Sequence, residues 1–79
     1  MMMVMTHAGD PAVAQMAAAG AGGVMEATPL AGGQIQVLVA GPNGWASYVE
    51  TYQRLMASRG TPVTVVTSGA TARDEVRGG

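Results

Sequence analysis

Gln34-Ile35-Gln36-Val37-Leu38-Val39-Ala40 runs directly into Gly41-Pro42-Asn43-Gly44 and then Trp45. The first stretch alternates polar and apolar residues and ends wholly apolar, as a central strand does. The four residues after it are turn formers, and Asn43 is expected to cap a helix. Beyond them Trp45, Tyr48, Val49, Tyr52, Leu55 and Met56 fall on one stripe at the helical period. Glu50 and Arg54 stand four residues apart on the polar side, where such pairs support a helix. Arg59 suits the negative end of the helix dipole, Gly60 is a stop, and Pro62 forbids continuation. A strand, a turn and an amphipathic helix are therefore legible in one continuous segment.

Working outward, Met1 to Thr6 is a short apolar run that periodicity alone reads equally as a buried strand or a piece of helix, and that the order of the elements makes a first strand. Asp10-Pro11 is a helix start: Asp accepts a backbone N–H bond at the N-cap, and Pro at the next position has no donor to leave unpaired. The helix runs through Ala19, with Val13, Met16 and Ala17 on one face, and Gly20-Ala21-Gly22-Gly23 ends it. Val24 to Thr28 reads as a strand carrying Glu26, and Pro29-Leu30-Ala31-Gly32-Gly33 as a turn. Thr61 to Thr67 is β-branched and reads as the last strand, with Pro62 placing it at an edge or a strand start. Residues 1–69 form a single domain in this reading, and residues 70–79 a flexible polar tail.

The order is β-α-β-β-α-β, the ferredoxin-like α+β pattern, with an antiparallel sheet and two helices on one face. In that topology the first and third strands are central. Met1–Met5 and Ile35–Val39 are the most apolar runs, while Glu26 and Pro62 mark the second and fourth strands as edges. The other face of the sheet is expected to be open. A runner-up arrangement leaves the first segment disordered and keeps a hairpin followed by the second helix and strand.

Composition narrows the function. The 79 residues are 48% apolar, which suits one small folded domain. Cys is absent, which removes disulfides and thiolate metal sites. Lys is absent too, and the Ala- and Gly-rich composition points to a GC-rich bacterial or phage genome. With a net charge of −1 there is no basic stripe for a phosphate backbone, so direct nucleic-acid binding is not expected. No run reaches a membrane span, and the Met-rich opening lacks the basic start of a signal peptide, so the expected location is cytoplasmic. Several Met residues at the opening offer alternative starts.

No catalytic motif emerges. Gly20-Ala21-Gly22-Gly23 follows a helix, whereas a phosphate loop precedes one. Gly41-Pro42-Asn43-Gly44 precedes a helix but has no Lys and reads as a plain turn. His7 is the single His, expected to face solvent at a strand end with only Asp10 nearby, too few ligands for a metal. Ser47, Ser58 and Ser68 have no evident base. Glu26 and Glu50 read as solvated charges, so no enzyme and no cofactor are expected. The aliphatic central strand also lacks the aromatics of an RNA-binding sheet.

The overall profile resembles small phage-encoded inhibitors, the anti-CRISPR proteins in particular: short chains of compact α/β build with no active site. The resemblance lies in the whole chain and transfers no functional residue. It implies a non-catalytic protein-binding inhibitor in a bacterial host cell, blocking target-DNA binding by a type I surveillance complex. Asp10, Glu26 and Glu50 would then face Arg or Lys of the partner, with Trp45 or Tyr48 as an apolar anchor at the rim of the helix. Glu26, on an edge strand, is the first choice. The competing expectations are a ligand-binding regulatory module resembling amino-acid sensors, with Gly41-Pro42-Asn43-Gly44 as pocket loop, and an oligomeric structural phage protein. A homodimer would be another way to cover the open face.

Overall fold

The structure, a computed structural model, describes residues 2–73. Strand β1 spans Met2–Ala8, helix α1 Pro11–Gly20, strand β2 Val24–Pro29, strand β3 Gln34–Val39, helix α2 Pro42–Ser58 and strand β4 Thr67–Arg73. A single 3-10 turn, Ala31–Gly33, joins β2 to β3. The four strands form one antiparallel sheet in the order β2-β3-β1-β4. This is the expected ferredoxin-like order, with β1 and β3 in the centre.

Alternation builds the core. Met5 and His7 of β1 are buried, as are Ile35, Val37 and Val39 of β3. They meet Val13, Ala14 and Ala17 of α1 and Tyr48, Tyr52 and Met56 of α2 in one cluster. The residues between them, Val4, Gln36 and Leu38, belong to the helix-free face, because successive strand residues point to opposite sides. Ladder rows cross that face: Glu26 stands opposite Leu38, and Leu38 opposite Val4.

Asp10 caps α1 as expected, with Pro11 at the first helical position. The start of α2 differs from expectation. Gly41 is its N-cap and Pro42 takes the first helical position, so Asn43 lies inside the first turn. Proline is pre-set for that position, which is why the helix begins two residues early. Gly44 is buried there, and a Cβ on it would come within 2.5 Å of the Gly23 carbonyl oxygen. The glycines around 23 and 44 thus let the head of α2 rest directly on the backbone entering β2. Ala40 N–H also donates to the Gly23 carbonyl at 2.8 Å.

The last strand is displaced. Thr61–Thr67, expected as a strand, contributes only Thr67, and pairing continues through Arg73. Residues 70–73, expected in a tail, pair with β1, while residues 74–79 lie outside the described residues. The cause is visible in the hydrogen bonds. Pro62 has no N–H, and the Val65 N–H donates to Gln53 Oε1 of α2 at 2.9 Å. The β-branched stretch therefore follows the helix before the chain reaches the sheet. Among the described residues, no helix is long and apolar enough to cross a membrane.

Candidate functional site

The corner where β1, α1 and α2 meet holds the densest chemistry of the molecule. His7 is fully buried, contrary to the expected solvent-facing position. Its place follows from strand periodicity: it shares the inward face with Met3 and Met5. Nδ1 lies 2.9 Å from the Ala8 carbonyl oxygen and Nε2 lies 2.7 Å from Tyr48 Oη. A carbonyl can only accept, so Nδ1 carries the proton and the neutral ring accepts the Tyr48 hydroxyl proton at Nε2.

Tyr52 ties the same corner to α1. Its hydroxyl oxygen accepts the Asp10 N–H at 2.8 Å. A Cβ on Gly9 would collide with that hydroxyl, so a larger residue there would have to displace the Tyr52 ring. The rings interlock around the imidazole. His7 meets Tyr52 edge-on with centroids 4.9 Å apart, and Tyr48 stacks on Trp45 at 5.5 Å and on Tyr52 at 5.9 Å. Such contacts add to the area buried. Burial lowers the His7 pKa, with the Ala8 carbonyl opposing. Burial, and then the neighbouring Tyr52, push the Tyr48 hydroxyl well up.

Of the residues singled out from the sequence, Trp45 stacks on Tyr48 and shares one groove with Glu50, while Glu26 lies on a different groove. Tyr48 is wholly buried and so is not a rim anchor. The width of the α2 stripe suggested that Trp45 or Tyr48 would be left at the rim: both tyrosines go in, and Trp45 is the aromatic left partly outside. Trp45 is half-buried and lines a shallow groove of about 750 Å³ along α2 with Val49, Glu50, Gln53 and Arg54. Glu50 pairs with Arg54 at 3.3 Å, with both side chains largely in solvent. Asp10 Oδ1 accepts from the Ala12 N–H at 3.0 Å and the Val13 N–H at 3.4 Å, so it serves α1 first.

Glu26 is exposed at the β2 edge, beside Met25 and the groove between α1 and β2. Met25 is the extra residue of a bulge, since Val24 and Glu26 pair with the consecutive residues Val39 and Leu38. Bulging turns Met25 outward, where it is half-exposed. The Gly41-Pro42-Asn43-Gly44 turn is closed at its far end by the Gly23–Gly44 contact.

His7 is the residue that sequence reading misplaced, and the signal for it was its two-residue spacing from Met3 and Met5. Among the described residues, no group of three or more His, Cys, Asp or Glu could hold a metal ion. All the buried side-chain nitrogen and oxygen atoms described have hydrogen-bond partners. Compared with known proteins, the chain matches no family model, no curated protein and no solved structure.

Proposed function

We propose that the protein is a non-catalytic protein-binding inhibitor of the anti-CRISPR kind, acting by occupying a surface that a type I surveillance complex uses for target DNA. The observation that carries the reading is the helix-free face of the sheet. Half-buried Met2, Val4 and Leu38 lie there, with the Glu26 carboxylate at the end of the row. Apolar side chains interleaved with the polar Thr6 and Gln36 and bordered by an acidic edge suit a partner surface of mixed apolar and Arg or Lys residues, the last being those that hold phosphates. The buried polar groups of the corner are engaged with one another, which leaves the outer surface for recognition.

Binding of target DNA by a purified type I complex, with and without the protein, tests the proposal. The expected result is loss of the DNA-bound species and co-elution of the protein with the complex on a sizing column. Glu26→Arg should fold normally and weaken inhibition at least tenfold, as expected when a carboxylate facing a cation is reversed at an interface. Full inhibition by Glu26→Arg would remove Glu26 from the contact. Unchanged DNA binding across several subtypes would remove the inhibitor reading.

A further inference from the structure

The geometry of the corner points to an acid-sensitive clasp, in which neutral His7 joins β1 to α2 and proton uptake at Nε2 opens the joint. The argument starts from the bond itself. Nε2 accepts from the Tyr48 hydroxyl at 2.7 Å, while Nδ1 already donates to the Ala8 carbonyl. A second ring proton would turn Nε2 into a donor. Tyr48 Oη would then have to accept, and its own hydrogen would need a new partner inside the aromatic cluster.

Among the described residues, no carboxylate is placed to bond the new charge. From α2, Tyr48, Tyr52 and the Trp45 ring face the imidazole. At the head of α1 stands Asp10, whose Oδ1 is held by the Ala12 and Val13 N–H groups. Across the ladder, β3 offers Ile35 and β4 offers Thr67 opposite His7. No carboxylate among the described residues bonds the ring. A buried cation without a partner is costly, so the folded state keeps the ring neutral.

The sign follows from linkage. The ordinary His value is 6.5, and burial holds the folded one below it. Above 6.5 both states carry a neutral ring and the clasp is whole. Below 6.5 the unfolded chain takes up a proton that the folded chain refuses. Stability is therefore lost as pH falls from 6.5 toward the lowered folded value, and the loss stops growing below it. The affected joint is specific. It holds the head of α1 and the end of β1 against α2, the helix that carries the Trp45 groove.

The chain carries one His and one Trp, so the imidazole of the clasp and the Trp45 ring stacked on Tyr48 both report without labelling. Thermal unfolding of the full chain is followed by Trp45 emission between about pH 7.5 and about pH 5.5, and the imidazole C–H resonances are titrated in parallel. The expected melting temperature drops by roughly 5–10 °C for each pH unit below the His value, and Trp45 emission changes in the same window. His7→Gln, which keeps an acceptor but has no proton to gain, should flatten that slope. If His7→Gln does not fold, the titration of the native ring decides by itself. A folded-state midpoint at or above the ordinary His value, or a melting temperature flat across the range, would overturn the clasp.

Discussion

The β1–α1–α2 corner and the stretch from Thr61 to Val66 are both connections between elements, and they are built in opposite ways. The corner is polar by sequence yet buried: His7, Tyr48 and Tyr52 are almost wholly covered, and their polar atoms are paired. The later stretch is apolar by sequence yet exposed, with Val63 and Val66 facing water and Val65 tied to Gln53 by one bond. Residue polarity alone assigns both regions wrongly. Partner geometry assigns them correctly, because a buried polar group is tolerated once its hydrogen bonds are made, and single exposed valines cost little.

The largest test of that contrast is Tyr48→Ala. It removes a buried ring and leaves Nε2 of His7 without its donor, so a loss of about 3–5 kcal/mol is expected in urea unfolding. A loss below about 1 kcal/mol would mean the corner is loosely packed and the contrast fails. Asp10→Ala sits at the margin of the corner. It deletes the α1 cap while keeping the backbone N–H that Tyr52 accepts, and about 1 kcal/mol should go. Smallest is Val66→Ser in the exposed stretch, where the melting curve should move by no more than about 0.5 kcal/mol in equivalent stability. A large effect there would show that Val66 packs against something in solution.

Much of this fold was legible because local and global signals agree. The alternation of Gln34–Val39, the Asp10-Pro11 start and the Gly60 stop each have a local cause and each stand where expected. Centre and edge were legible from where Glu26 and the apolar runs fall. The position of β4 was not, because β-branched residues favour an extended chain without naming its neighbour, and Gln53 takes the Val65 N–H first. The corner was half legible. The two-residue spacing of His7 from Met3 and Met5 carried an inward signal, yet the reading placed the ring in solvent, and only the structure brings it to Tyr48, 41 residues away. The outer surface offered least, since exposed carboxylates such as Glu26 and Glu50 look alike in sequence and differ only in that Glu50 already holds Arg54.

The order β2-β3-β1-β4 has a further consequence for how the chain comes to be made. β1 is synthesised before the other three strands, yet its two neighbours are the third and the fourth. While Thr67–Arg73 is still unsynthesised, β1 is itself an edge, with one flank of N–H and C=O groups bare. A nascent chain halted after α2 thus presents an apolar Met- and Val-bearing edge to other chains. Completion of the last strand is the step that turns this edge into an interior strand.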